Sequence, residues 1–222
     1  MPVSFLDLAQ TCAPIVAAET LACVFSLECR FEPFAIRINS GAPLPEQPAT
    51  KAEAIEIATS LVAERQDIQL GLGGIGMEEL RKLKLSIPDA FDPCPNLQAT
   101  ATLLDRYYRL AIQAGADPER AEQVMLQSWY GWDDPSVGAM VQYDEQVRQE
   151  VKRLGKTLAT LTIDDGGEGM GPETTAADVA VGAQSDDAPV EHTASAPTWH
   201  VFGSRRRSSV LVFQNSQLEQ SE

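Results

Sequence analysis

Glu28 is a carboxylate at a position where an amphipathic helix normally buries an apolar side chain. Leu21, Val24, Phe25 and Glu28 follow the i, i+3, i+4, i+7 spacing that defines the inward-facing stripe of a helix. The glutamate is therefore mispacked, paired with another group, or held in the wall of a cleft. In a cleft wall, partial loss of water favours the protonated form of a carboxyl group. Because a general acid needs that form, Glu28 is a candidate for acid catalysis.

Composition limits the classes of protein to which the chain can belong. Its 222 residues, 44% of them hydrophobic, suffice for one well-buried domain of about 150 residues and a tail. The net charge of −15 repels phosphate backbones, which disfavours nucleic-acid binding. No apolar run approaches the roughly 18 residues of a membrane span. The first basic residue is Arg30, so we expect no clear secretory signal, since such signals begin with positive charge.

Three segments differ in composition. Residues 1–160 carry helical periodicities and predict one mainly helical domain. Residues 161–198 are rich in Gly, Asp, Thr, Ala and Ser, with few large apolar groups, and predict a disordered acidic linker. Residues 199–222 place apolar groups on both sides of three consecutive arginines (205–207). This last segment is either an adhesive chain end or a short motif that docks on a partner.

Local signals predict individual elements within residues 1–160. The glycines between Gln69 and Gly76 favour a short strand or turn. The predicted helices run from Ala18 to Arg30, from the capping box Thr50-Lys51-Ala52-Glu53 onward, from Met77 to Leu83, from an Asn96 cap to Gly115, from Asp117-Pro118 to Trp129, and along the stripe Val141, Asp144, Val147, Val151 and Leu154.

The four cysteines leave two arrangements open. Cys23 and Cys29 lie on different sides of one predicted helix and cannot bridge each other. Cys12 and Cys94 both lie near prolines in predicted loops, and a bridge between them would indicate an oxidising compartment. Four reduced thiols in a cytosolic domain is the alternative.

Histidine chemistry is disfavoured in the folded domain. Both histidines, His192 and His200, lie in the predicted tail, so we expect neither a Cys–His or Ser–His pair nor a histidine-ligated metal site. The glycines of residues 71–76 lack the Lys-Ser/Thr that follows a phosphate-binding loop, and their order is not GxGxxG. We expect no metal and no cofactor, which leaves carboxylates and tyrosines for chemistry.

The residues around Glu28 also resemble a known family. Leu27-Glu28-Cys29-Arg30-Phe31-Glu32-Pro33-Phe34-Ala35-Ile36 is similar to the E-S-x-F-x-P-x-A signature of soluble lytic transglycosylases, in particular the small ones of conjugation and type IV secretion systems. Further similar segments are Gln69-Leu70-Gly71-Leu72 with Ile75, Ala90-Phe91-Asp92-Pro93-Cys94, Ser128-Trp129-Tyr130-Gly131, and Trp199-His200-Val201-Phe202-Gly203. The resemblance covers nearly the whole chain.

This resemblance implies a mainly helical, lysozyme-like (α+β) domain whose groove binds peptidoglycan glycan strands. It implies that Glu28 alone protonates the glycosidic oxygen and then accepts the proton of the sugar's C6 hydroxyl, giving a 1,6-anhydro product without water. Ordinary glycosidases use two carboxylates instead. The implied location is the periplasm or cell envelope, and the implied partners are type IV secretion components that bind the tail. By resemblance, the substrate-binding residues are Tyr130, Cys29, Gly71, Leu72 and Ile75.

The chain departs from the family pattern inside the implied groove. Cys29 replaces a serine, Gly131 replaces an asparagine, and glycines 73, 74 and 76 replace the Met, Gln and Asn of G-L-M-Q-I-N. For each polar side chain that no longer reaches the sugar, transition-state binding weakens by about 1–3 kcal/mol.

Two functions therefore follow from the sequence. The first is an active lytic transglycosylase that opens the wall for a secretion apparatus, and the second is a weak or inactive glycan-binding or assembly factor of the same system. A hydrolase with Asp133 or Asp134 as second carboxylate is less favoured, because the Trp-Asp-Asp-Pro sequence explains both as turn residues.

Overall fold

A computed structural model describes residues 3–163 of the chain. The predicted class, mainly helical with a small sheet, is confirmed. In chain order the elements are β1 (Val3–Ser4), α1 (Phe5–Cys12), α2 (Ala18–Cys29), β2 (Ile36–Ile38), α3 (Lys51–Ala63), β3 (Ile68–Leu70), β4 (Ile75–Gly76), α4 (Met77–Lys82), α5 (Ile87–Ala90), α6 (Pro93–Gln113), α7 (Pro118–Gly131), α8 (Pro135–Met140), α9 (Tyr143–Leu154), a 3-10 turn (Leu158–Thr160) and β5 (Thr162–Ile163).

Helix α2 contributes several fully buried side chains to the core. Its predicted stripe is correct, since Leu21, Val24 and Phe25 are fully buried. Phe5 of α1 packs edge-on against Phe25, with ring centroids 6.0 Å apart. The helix ends at Arg30, which adopts a left-handed conformation with φ of 56°. The chain therefore leaves the helical path two residues after Glu28 and reaches β2 at Ile36.

Strands β2, β3 and β4 form an antiparallel sheet in that spatial order. Its register places Arg37 opposite Gln69, and Leu70 opposite Ile75. Leu70 and Ile75 are buried in the core. The sheet thus brings a charged residue of β2 and a polar residue of β3 side by side, next to the glycine-rich segment.

The long helix α6 begins at Pro93, so the prediction that Asn96 caps it is wrong. Pro93 occupies the first turn, where a backbone N–H has no helical partner and its loss costs nothing. Asn96 is buried instead. Its side chain accepts a hydrogen bond from Gly73 N at 2.8 Å and donates to the carbonyl of Ala90, also at 2.8 Å. Asn96 therefore fixes the glycine-rich segment against α6.

Cys12 and Cys94 form a disulfide with their Cα atoms 5.4 Å apart. Cys12 is the last residue of α1 and Cys94 lies in the first turn of α6, so the prediction that both occupy loops is wrong. The bridge ties α1 to α6. Cys23 and Cys29 are free and buried.

The first strand of the described region pairs with the last one. Strand β1 is antiparallel to β5, with Val3 opposite Ile163. Two residues within the predicted linker of residues 161–198, Thr162 and Ile163, therefore form β5, and Ile163 buries its side chain beside β1. The remainder of that linker, the predicted motif of residues 199–222 and both histidines lie outside the described residues. Within residues 3–163, no helix combines the length and the apolar character needed to cross a bilayer.

Candidate active site

Glu28 lies in the last turn of α2, and its side chain is only 7% exposed. Both of its carboxylate oxygens accept hydrogen bonds. Tyr143 Oη donates to Oε1 at 2.9 Å, and Arg37 Nη2 donates to Oε2 at 2.8 Å. Of the three explanations for a glutamate in this stripe, the structure supports the second, in which the carboxylate is paired with other groups. An ion pair with an additional hydrogen bond offsets the cost of burying the charge.

Tyr143, the first residue of α9, contacts Glu28 from the protein interior. Its side chain is buried, and burial together with the Glu28 carboxylate raises the pKa of Tyr143 well above its ordinary value of 10.0. The phenol therefore stays protonated and remains a donor. The ring of Tyr130 packs against that of Tyr143, with centroids 5.2 Å apart. The resemblance places Tyr130 near the acid, and the structure makes it the neighbour of the tyrosine that contacts Glu28.

Arg37 approaches Glu28 from the solvent side. Its side chain is 50% exposed, and Nε donates to Gln69 Oε1 at 2.6 Å. Nη2 also contacts Gln69 Oε1. Gln69 is itself buried. One oxygen of Glu28 is thus held from inside by Tyr143, while the other faces an exposed guanidinium anchored by a buried amide.

The glycines that depart from the family signature lie beside this cluster. A side-chain carbon built at Gly74 would lie 3.3 Å from Gln69 Oε1 and 3.6 Å from Glu28 Oε2. Gly74 also has φ of 57°, a left-handed conformation that suits glycine. A side chain at position 74 would therefore reach the space beside Glu28 that Gln69 and Arg37 occupy.

The neighbouring glycines are closely packed. A side-chain carbon at Gly73 would lie 2.1 Å from Thr100 Oγ1, and one at Gly76 would lie 2.4 Å from the Trp132 ring. The backbone at these two glycines is therefore closely covered by neighbouring side chains. Side chains from α6 and from the end of α7 fill the volume.

Cys29 occupies the position of the signature serine and is buried. Its thiol donates to the carbonyl oxygens of Leu72 at 3.1 Å and Phe25 at 3.3 Å. Burial raises the pKa of Cys29, so it remains a neutral thiol. Its observed role is to link α2 to the glycine-rich segment.

Three further residues expected to bind substrate are packed in the structure. The side chains of Leu72 and Ile75 are buried in the core. Gly71 has φ of 69°, and a side-chain carbon there would lie 2.1 Å from the carbonyl oxygen of Ala90. Any contact of these three residues with a ligand would involve their backbone.

Asp133 and Asp134 have local structural roles. Asp134 caps α8 by accepting a hydrogen bond from Ser136 N at 2.9 Å, and its bonds with Ser136 lower the pKa of that carboxyl. Asp133 forms an exposed ion pair with Arg106 at 3.3 Å. These contacts agree with the interpretation of both aspartates as turn residues.

The chain is similar in sequence to proteins named virB1. It is 41% identical over 110 residues to the type IV secretion system protein virB1 of Brucella abortus and of Brucella suis, which covers 50% of this chain and 46% of the relative. It is 30% identical over 171 residues to the protein virB1 of Agrobacterium fabrum, covering 74% of this chain and 67% of the relative. The chain thus spans a little under half the length of the Brucella proteins. No protein-family model matches it, and no solved structure matches it significantly.

Proposed function

Because the chain belongs to the VirB1 family, we propose that it is a peptidoglycan lytic transglycosylase that opens the cell wall locally for a type IV secretion or conjugation apparatus. The observation that carries this proposal is the arrangement of Glu28. A carboxylate with one oxygen held by a buried tyrosine and the other directed to an exposed arginine is oriented for proton transfer at a defined atom.

We assign the transfer to Oε2, because the geometry supports this oxygen over Oε1. Tyr143 holds Oε1 at 2.9 Å from the buried side, whereas Oε2 lies beside the half-exposed Arg37 and is the oxygen that a substrate can approach. A proton on Oε2 passes to the glycosidic oxygen as the bond from that oxygen to C1 breaks. The same oxygen then takes the proton of the C6 hydroxyl as O6 bonds to C1. Glu28 regains its proton, and no water is consumed.

Tyr143 acts in this scheme as a positioning residue. Its hydrogen bond fixes the plane of the carboxylate, and its raised pKa keeps the donor present throughout the neutral range. An acid that is already oriented increases the rate, because less of the activation barrier is spent on aligning the reacting atoms. The packing of Tyr130 against Tyr143 supports the same orientation.

A second function, that of a weak or inactive glycan-binding factor of the same secretion system, is favoured by the Arg37 contact. In the structure Arg37 occupies the oxygen of Glu28 that the chemistry requires. A protein in which this ion pair never opened would bind the glycan without cleaving it.

The cell envelope is the proposed location, since the substrate lies there and the Cys12–Cys94 disulfide suits an oxidising compartment. Recruitment by secretion components through residues 199–222 is also proposed, on the sequence pattern of that segment alone.

Digestion of purified sacculi tests the function. Wild-type protein, Glu28→Gln and the control Glu32→Gln, which alters an exposed carboxyl four residues away, are incubated with sacculi, and soluble products are identified by mass spectrometry. We expect 1,6-anhydro-muropeptides from wild type and Glu32→Gln and none from Glu28→Gln. Wild-type protein that binds sacculi without releasing product would support the second function, and reducing-end products would indicate a hydrolase.

A further inference from the structure

Arg37 has hydrogen-bonding capacity that the contact with Glu28 leaves unused. Its Nε and Nη2 donate to Gln69 and Glu28, whereas Nη1 makes no hydrogen bond to any residue within 3–163. A guanidinium carries five N–H donors in a fixed planar fork. Since half of this side chain is exposed, the unused edge is available to a ligand.

The contact of Arg37 with Gln69 is shorter than its ion pair with Glu28 and involves a more deeply buried partner. Gln69 is 2% exposed, and its Oε1 accepts from Nε at 2.6 Å. Gly74 contributes no side chain over the guanidinium, although a carbon built there would lie 3.7 Å from Nη2. The inner edge of the Arg37 guanidinium, which carries Nε, is therefore held by Gln69, and the outer edge, which carries Nη1, is left uncovered.

The charges around Arg37 favour an anion as its ligand. Glu28 takes one hydrogen bond from the guanidinium, whereas Arg–carboxylate pairs commonly form two parallel ones. The chain has a net charge of −15, so an acidic polymer is repelled by the protein as a whole and needs a local cation at the site of cleavage. Glycan strands of the wall carry carboxylates, either on the lactyl group of muramic acid or on its peptide stem.

We propose that Arg37 binds a carboxylate of the glycan strand through Nη1 while Nε stays on Gln69. This inference rests on the proposed function of Glu28. As the guanidinium turns toward the substrate carboxylate, its contact with Oε2 of Glu28 weakens, and that oxygen becomes free to take a proton from solvent. Binding of the substrate carboxylate to Arg37 thus frees Glu28 to become protonated and to act as the acid.

Binding of small probes tests the proposal without any turnover. N-acetylmuramic acid has a free lactyl carboxylate, muramyl dipeptide has one carboxyl group, which lies on its peptide, and N-acetylglucosamine is neutral. None of the three has a glycosidic bond to cleave. Titration of wild type, Arg37→Gln and Arg37→Lys by NMR gives dissociation constants, and the ¹⁵N signal of Arg37 Nε reports contact with the guanidinium.

For wild type we expect at least one acidic probe to bind about tenfold more tightly than N-acetylglucosamine and to shift the Arg37 Nε signal. Arg37→Gln loses this preference while its affinity for N-acetylglucosamine is unchanged, and Arg37→Lys keeps part of it. Preference for N-acetylmuramic acid identifies the lactyl carboxylate, and preference for muramyl dipeptide identifies the stem.

Equal affinity of wild type for all three probes, or an Arg37→Gln protein that keeps the preference, would overturn the proposal. A comparison of thermal midpoints confirms that the variants are folded. A wild-type protein that discriminates among the probes but releases nothing from sacculi would contradict the transglycosylase function and leave the carboxylate site standing, so the two failures are distinguishable.

Discussion

Tyr143 donates a hydrogen bond of 2.9 Å to Oε1 of Glu28 across 115 positions of sequence. The contact joins the first residue of α9 to the last turn of α2. It places a neutral, buried donor behind the proposed acid, while the exposed Arg37 lies on the other oxygen. The two carboxylate oxygens therefore have different roles, one structural and one proposed to be chemical.

Removal of the Tyr143 hydroxyl is expected to slow turnover with little effect on substrate binding. Tyr143→Phe keeps the ring against Tyr130 and deletes the hydrogen bond to Glu28. A hydrogen bond to a charged group contributes about 1.5–3 kcal/mol, so kcat on soluble glycan strands should fall by about 10-fold or more at similar KM. Tyr108→Phe, the same change on α6, serves as control. An unchanged kcat in Tyr143→Phe would contradict the role of the tyrosine as a positioning residue.

Glu79 is expected to make stability depend on pH. It is buried on α4, and its Oε2 has no hydrogen-bond partner among the described residues. Burial raises the pKa of Glu79 above its ordinary value of 4.5. Because the folded state holds the proton more tightly than the unfolded state, this stabilisation is complete below pH 4.5 and is lost as pH rises through the raised pKa.

Glu79→Gln should therefore be more stable than wild type at pH 7, by about 1 kcal/mol, and should lose that advantage near pH 4. Urea unfolding at both pH values measures the difference. Glu78→Gln is the matched control on the same helix. Its exposed carboxyl pairs with Lys82, which lowers the pKa of Glu78, so this change should be neutral or slightly destabilising at pH 7. Equal pH dependence in wild type and Glu79→Gln would contradict the assignment.

Reduction of the disulfide is expected to lower the free energy of unfolding substantially. Cys12 and Cys94 are 82 positions apart, and a closed loop of that length restricts the unfolded chain by about 4–5 kcal/mol on the chain-entropy model. The double variant Cys12→Ser/Cys94→Ser should unfold at lower urea concentration than the oxidised wild type. Added reductant should bring wild type close to the variant and leave the variant itself unaffected. Equal midpoints under oxidising conditions would count against a stabilising bridge.

The sequence predicts the elements that depend on local spacing. The stripe of α2 and the position of Glu28 on it follow from residues within one helix. The Thr50 cap of α3 is likewise local, and its side chain accepts from Glu53 N as expected. Such features require no knowledge of what packs against them.

Interactions between distant elements account for what the sequence does not predict. Arg37 and Tyr143 reach Glu28 from β2 and α9. For α9 the apolar pattern predicts that Val151 is buried. In the structure Val151 is 41% exposed, and the neighbouring Glu150 is buried instead. Glu150 is accommodated because Ser26 and Arg153 bond to it. The spacing of apolar residues does not predict the burial of a polar residue whose charge is paired by other side chains.

The short helices α1, α5 and α8 are not predicted by periodicity. Capping signals mark two of them in the structure. Ser86 and Asp89 form a reciprocal capping box at α5, and Asp134 caps α8 with a proline at its first position. Their few residues leave too little periodicity to identify a buried face.

Glu28 alone is proposed to transfer the protons, with no water entering the product. Digestion of sacculi in water enriched in ¹⁸O tests it most directly, because hydrolysis incorporates a water oxygen at the cleaved sugar and transglycosylation does not. We predict that wild-type protein releases 1,6-anhydro-muropeptides without ¹⁸O and that Glu28→Gln releases none. Products of the wild type that carry ¹⁸O at the new sugar terminus, or anhydro products from Glu28→Gln, would contradict the claim.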